Sequence, residues 1–162
     1  MSDLRIILGD DRHKLWVAMR VGLGAGAFQD SCGSVGVERD GQILAATVYT
    51  RFHRYAETGN ASCEVSIAAM PNERWCSRRA IKAFLAYPFD CLGVAVLQAR
   101  CAKRNKVARD FVERVGFRRG GIARRAYDGK EWMVFYDMLP HEAERWLGYE
   151  PTLWKEKEAE NG

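Results

Sequence analysis

The sequence contains no long apolar run: nothing among its 162 residues approaches the roughly 20 consecutive apolar residues that a membrane-spanning helix needs. Its first stretch, Met1 to Asp11, alternates acidic and apolar residues instead of setting a basic segment before a long apolar one. An unexported cytoplasmic protein with no membrane partner is therefore expected. Cysteine is sparse and unpatterned. The five, at positions 32, 63, 76, 91 and 101, include no Cys-x-x-Cys pair and lie near no pair of histidines, so neither a disulfide framework nor a metal site is signalled. Reduced thiols suit a cytoplasm. No internal repeat and no low-complexity block is present, which excludes solenoids and fibrous architectures.

The rest of the composition is that of a folded globule, with 48% hydrophobic and 28% charged residues. The length fits one domain, drawn at residues 1–150, followed by a tail over 151–162. The net charge of +4 is unevenly spread. Residues 1–99 carry 11 basic and 10 acidic groups, residues 100–125 carry 10 and 2, and residues 126–162 carry 4 and 9. A basic band thus precedes an acidic end, and an anion-binding face is the natural reading of the band.

Leu4 to Leu8 reads as a buried strand. Asp10 or Asp11 caps a helix running to about Val21, with Leu15, Met19 and Val21 on or near its inner face. Gly22-Leu23-Gly24-Ala25-Gly26 follows a helix rather than a strand, so its lone G-x-G reads as a flexible loop and not as a phosphate fingerprint. Ser34 to Glu38 and Ile43 to Phe52 form a hairpin about Asp40-Gly41, and Ser62 to Met70 is a further strand ended by Pro71. Apolar residues recur at helical spacing from Ser77 to Phe89, with Pro88 ending or kinking the helix. Val94 to Ala102 is a strand. Asn105 then caps a helix closed by Gly116. Ile122 to Tyr127 and Glu131 to Met138 form a second hairpin about Asp128-Gly129, and Pro140 to Leu147 is a closing helix. The fold class is α/β (α+β): a central mixed, mostly antiparallel sheet of about seven strands flanked by helices.

The run from Glu64 to Arg119 resembles the GNAT superfamily of acyl-CoA-dependent N-acyltransferases. The resemblance is carried most specifically by Tyr87-Pro88-Phe89 followed by Leu92-Gly93, by Asn105 opening a helix, and by Val115-Gly116-Phe117. The Arg-Trp-x-Ser-Arg-Arg loop and the Tyr-Pro-Phe helix end also look like members found in phages and prophages, to which the Mom-type DNA-modifying proteins are related. The resemblance implies a small-molecule acyl donor, acetyl-CoA or another acyl-CoA. It implies that Ile67, Ala68 and Ala69 bond the pantetheine arm, that the loop Trp75, Cys76, Ser77, Arg78 and Arg79 meets the pyrophosphate, and that Asn105 and Arg109 lie nearby. It further implies Glu64 as general base, directly or through water. Tyr49, with His53 and Tyr136 beside it, is a candidate for proton transfer. Trp75 and Ser77 stand at glycine positions of the family loop, and Phe111 stands where many members carry a Tyr that protonates the departing thiolate. Trp75 either packs on the cofactor or covers a pocket that the cofactor does not enter.

The loop supports an anion site on physical grounds as well. A helix start leaves four N–H groups unpaired at the positive end of its dipole, and Arg74, Arg78 and Arg79 crowd the same point with Ser77 as cap. Three function classes follow: an N-acyltransferase of unknown acceptor, with Arg51, His53, Arg54 and Tyr55 on the acceptor side; a nucleic-acid-modifying or nucleic-acid-binding protein using the 100–125 band; and a catalytically silent assembly protein on the same fold. Trp132, Trp146 and Trp154 either cover a dimer surface or anchor the closing helix, so a monomer or a homodimer is expected.

Overall fold

The computed structural model describes residues 3–126 and 129–153. A seven-stranded mixed sheet has the order β1-β2-β3-β4-β5-β7-β6, built from β1 (Arg5–Leu8), β2 (Gly33–Arg39), β3 (Gln42–Arg54), β4 (Ala61–Ala69), β5 (Val96–Ala102), β6 (Arg118–Ala123) and β7 (Met133–Met138). Every neighbouring pair is antiparallel except β4 and β5. Four helices flank the sheet: α1 (Asp11–Arg20), α2 (Arg78–Ala86), α3 (Lys106–Val115) and α4 (Pro140–Leu147). None of the described helices is long and apolar enough to cross a membrane. All five cysteines are free thiols.

The β2–β3 hairpin turns at Asp40-Gly41, both with positive φ. That is the geometry a two-residue turn needs to match strand twist. The main core lies between the sheet and α2, α3 and α4, where Phe84, Leu85, Phe89, Val112, Val115 and Leu147 meet the inner faces of β3, β4, β5 and β7. A smaller cluster of Val17, Ala18, Phe28, Ile43, Ala46 and Val48 seats α1 on the other face.

The inner face of α1 differs from the one that spacing suggests. Leu15, Met19 and Val21 are exposed, and His13, Val17 and Ala18 are buried. The cause is His13, whose Nε2 lies 2.9 Å from a carboxylate oxygen of buried Glu38 and whose ring rests on Gly36, where a Cβ would collide with it. A polar anchor of this kind outranks a weak apolar stripe, because a buried charge must keep its partner. Arg12 bonds both Asp10 and Glu38, and the Asp10 side chain caps the helix, which holds the Asp10 carboxyl below its ordinary range.

The helix expected over 77–89 ends at Ala86 and widens into a π-type turn over Tyr87–Cys91, where Pro88 cannot donate. In the second hairpin, β6 begins earlier than expected, at Arg118, directly after the left-handed Gly116 cap, and a register shift falls between Arg119 and Gly121. Tyr127, the end of the expected strand, and Asp128, half of the expected turn, lie outside the described residues, as does Trp154. Trp146 anchors α4: its Nε1 donates to the Val115 carbonyl at 2.7 Å. Trp132 lies under the Lys103 ammonium at 4.7 Å.

Candidate functional site

β4 and β5 are joined by only three residue pairs, Ser62 to Val96, Cys63 to Leu97 and Glu64 to Gln98. Both strands continue, β4 to Ala69 and β5 to Ala102, so the sheet forks beyond Glu64. The direction of the backbone groups in the fork follows from two hydrogen bonds. Met70 N–H donates to the Leu44 carbonyl, toward β3, and the Ala61 carbonyl accepts from Ala95 N–H, toward β5. Alternation along an extended strand then turns the C=O of Val65 and the N–H and C=O groups of Ile67 and Ala69 into the fork, the Val65 N–H belonging to the last rung.

A cleft of about 1180 Å³ occupies this opening. One wall is α2 and α3, through Ile81, Phe84, Leu85, Asn105, Phe111 and Val112; the other is the end of α1, the segment from Gly22 to Ser31, and Thr50 and Arg51 of β3. Glu64, Ile67, Ala68, Ala69 and Asn105 all line this cleft. Asn105 also caps α3, its side-chain oxygen accepting from Ala108 N–H at 3.1 Å.

Glu64 sits at the crotch of the fork. Its side chain is 14% exposed, and its two oxygens lie 2.9 and 2.8 Å from Nη2 of Arg100, with Arg51 Nε 3.8 Å away. Arg51 has a left-handed backbone, φ 53°, inside a bulge between Thr50 and His53. Bulges re-aim side chains, and here the bulge sets an arginine at the mouth of the cleft. The Ser31 hydroxyl, also in the cleft wall, is buried without a hydrogen-bond partner. Cys32 N–H donates to the Tyr49 carbonyl at 2.7 Å, and Gly33 pairs with Tyr49, so Ser31 lies in the chain that enters β2 near this end of β3.

The remaining candidates stand apart from the cleft. Tyr49 is fully buried, donates to the Phe84 carbonyl at 2.5 Å and accepts from Thr47 at 2.9 Å. Burial raises its hydroxyl far above the ordinary range, and the residue acts as a tie between β3 and α2. Tyr136 is buried and donates to Glu113 at 2.8 Å; burial and that bond push it up to about 12. His53 packs edge-on against Tyr55 at 4.7 Å. Arg109 does not line the cleft.

The loop from Pro71 to Ser77 carries the chain from cleft-lining Ala69 to α2 without lining the cleft itself. Trp75 is buried between Phe84 at 6.0 Å and Phe111 at 5.7 Å, so it backs the cleft wall. Ser77 caps α2, accepting from Ala80 N–H at 3.1 Å. Cys76 and Arg79 are exposed. Arg78 lies over the Trp146 ring at 5.6 Å and donates to the Arg145 carbonyl in the last turn of α4. The charge that the sequence reading assigned to an outside anion is met, for this arginine, by the negative end of another helix.

The basic band of residues 100–125 is divided among several elements. Arg100 pairs with Glu64 in the cleft, Lys106 with Asp110 along α3, Arg118 with Glu142 of α4, and Lys103 lies on Trp132. Sequence reasoning missed Ser31 and the role of Arg100 because neither belongs to a motif. Their signal is spatial, arising from the fork and the β2–β3 register.

No protein-family model matches the sequence, and no curated protein matches it. Solved structures do. The spermidine/spermine N-acetyltransferase of Vibrio cholerae has a TM-score of 0.67 at 14% identity, over 88% of this chain and 98% of that one. The ribosomal-protein-S18-alanine N-acetyltransferase of Escherichia coli has a TM-score of 0.63 at 16% identity, over 85% and 94%. An N-acetyltransferase of Staphylococcus aureus has a TM-score of 0.63 at 11% identity, over 85% and 99%. At these identities the likeness is one of fold, and the fold is that of the GNAT acetyltransferases.

Proposed function

We propose that the protein is an acyl-CoA-dependent N-acyltransferase that moves an acetyl group, or another acyl group, from acetyl-CoA or a related thioester to an amine. The observation that carries the reading is the fork: backbone donors and acceptors of Ile67 and Ala69, beyond the last β4–β5 rung, facing a large cleft with an apolar wall at Phe84 and Phe111. Buried backbone polar groups need partners, and an extended ligand with amide groups supplies them strand-fashion. The donor set therefore fits the pantetheine arm of an acyl-CoA, held by the backbone of Ile67 and Ala69, whereas the backbone groups of Ala68 turn to β3 and that residue only lines the cleft with Asn105. Two parts of the reading rest on the resemblance and the α2 helix start alone: pyrophosphate at Trp75 to Arg79 with Arg109 nearby, and likeness to phage-associated members. Residues 1–150 are taken as the catalytic domain, and the free thiols suit a cytoplasmic setting.

When bound, the thioester supplies the acyl group and a leaving thiolate. The chain's own residues do the rest. Glu64, at the point where the strands part, takes the proton of the incoming amine at a carboxylate oxygen, directly or through water, while Arg100 fixes that carboxylate in place. A backbone N–H in the fork, that of Ile67 being the first beyond the last β4–β5 rung, polarises the acyl oxygen. Phe111 offers no proton to the leaving sulfur, so water entering at the open mouth delivers it.

Binding of acetyl-CoA at a hundred times its dissociation constant should stabilise the fold by about 2.7 kcal/mol, read as a rise in melting temperature. Thiol release from acetyl-CoA in the presence of an amine panel tests transfer. An unchanged melting temperature together with no thiol release for any amine would sink the reading.

A further inference from the structure

We infer that the acceptor carries an acidic group, a carboxylate or a phosphate, beside its amine, and that Arg51 is the residue that selects for it. The inference rests on the acyltransferase reading for the word acceptor, but the anion-binding corner stands on its own observations. Among the described residues that line the cleft, the charged side chains are Arg20, Arg51 and Arg100 against Asp30 and Glu64. Arg20 is occupied by the Trp16 ring, 4.5 Å from its guanidinium, and by the Met70 sulfur. Around Glu64, two guanidinium groups meet one carboxylate.

The two arginines are not equivalent. Arg100 is 24% exposed and makes both close contacts to Glu64, whereas Arg51 is 68% exposed and touches the same carboxylate only at 3.8 Å. Arg100 thus neutralises Glu64, and Arg51 retains most of its planar donor fork for a ligand. A guanidinium pairs with carboxylate or phosphate through two parallel bonds, which positions the group as well as holding it. The left-handed backbone at Arg51 points the same way. A non-glycine residue held at positive φ costs free energy, and such outliers collect where a ligand is clamped. The unpartnered Ser31 hydroxyl, buried in the wall of the same cleft, adds a neutral donor or acceptor. An amine whose acidic group lies on Arg51 is brought to Glu64, the group that accepts its proton, so one contact sets both selection and orientation.

The test compares matched acceptors with acetyl-CoA as donor: amino acids against their α-amides and decarboxylated amines, and phosphoethanolamine against ethanolamine. For the wild type, kcat/KM should favour acid-bearing members by at least about tenfold, and whether the amino-acid arm or the phosphate arm shows it identifies the acid. Arg51→Gln should cut that ratio at least about fivefold, through KM rather than kcat, and Arg51→Lys should restore part of it. Calorimetric binding of the N-acetyl acids and N-acetyl amides to the same three proteins needs no turnover and should show the same preference and the same loss. Equal use and equal binding of acid and neutral members, no binding of any acid-bearing member, or a preference that Arg51→Gln leaves intact, each overturns the inference. If no amine is acetylated and acetyl-CoA leaves the melting temperature unchanged while the binding preference persists, the transfer reading fails and the anion corner stands.

Discussion

At the α2 end of the cleft, Arg74, Arg78 and Arg79 crowd a helix start, where the dipole opposes positive charge, and the chain answers one of them from within by bringing the Arg145 carbonyl and the Trp146 ring of α4 to Arg78. At the β3–β4 end, Arg51 and Arg100 share the single carboxylate of Glu64 inside the cleft wall. In the first arrangement the fold engages Arg78 and leaves Arg79 exposed; in the second it engages Arg100 and leaves Arg51 loosely held. The lesson is that a cluster of arginines in sequence does not by itself indicate a ligand. What decides is how much of each guanidinium the fold has already engaged.

The comparison can be broken most forcefully at Trp75, which closes the α2 end from inside. Trp75→Ala removes a buried indole packed on Phe84 and Phe111 and should cost about 3–5 kcal/mol in denaturant unfolding. A loss under about 1 kcal/mol would mean that the loop is not part of the core. At the other end, Glu64→Gln should lower kcat/KM by about a hundredfold, the usual scale for losing a general base. A variant with wild-type kcat/KM would reduce Glu64 to a partner for Arg100. Tyr49→Phe separates the two ends through the tie between β3 and α2. It should cost about 1–2 kcal/mol of stability, because the Phe84 carbonyl loses a buried donor, with acceptor KM unaltered.

A pH titration sharpens the same contrast. The hydroxyls of Tyr49 and Tyr136 are raised by burial, Tyr136 up to about 12. Each therefore contributes stability that is complete below the ordinary tyrosine value of 10.0 and is lost as pH rises through the folded value. Melting temperature should fall between about pH 10 and 12, less steeply in Tyr136→Phe; an equal slope in that variant would remove Tyr136 from the account. The smallest effect is expected at the α2 start. Arg79→Ala should weaken acetyl-CoA binding by about two- to fivefold, whereas Arg78→Ala, whose side chain is committed to α4, should change it less than about twofold. A larger loss for Arg78 than for Arg79 would reverse the picture of that end.

Element types and order could be read from the chain because local signals agree with one another: Asp10, Ser77 and Asn105 cap α1, α2 and α3, Asp40-Gly41 turns the first hairpin, and Gly116 ends α3. The face of α1 could not, since a single buried pair between His13 and Glu38 reverses the apolar pattern. Of the site, the β4 segment and Asn105 were accessible through resemblance, because they lie in one continuous run. The grouping of Ser31, Arg51 and Arg100 in one cleft was not, because a loop and two strands, β3 with its bulge and β5, assemble it. Tyr49 shows the converse: a residue with suitable chemistry that the fold commits to the core, bonded to Thr47 and to the Phe84 carbonyl.

The fork also divides the sheet mechanically. Between β1–β2–β3–β4 on one side and β5–β7–β6 on the other, backbone continuity depends on the three rungs from Ser62 to Glu64, reinforced by the Arg100 bridge and by α2 packing across the join. Such a seam is where a cooperative fold separates into sub-global units, and amide hydrogens of β4 and β5 near it should exchange through an opening of lower free energy than those of β2 and β3. A ligand threaded between the two strands would act as the missing rungs, coupling two half-sheets into one unit and suppressing that opening along the whole length of the fork.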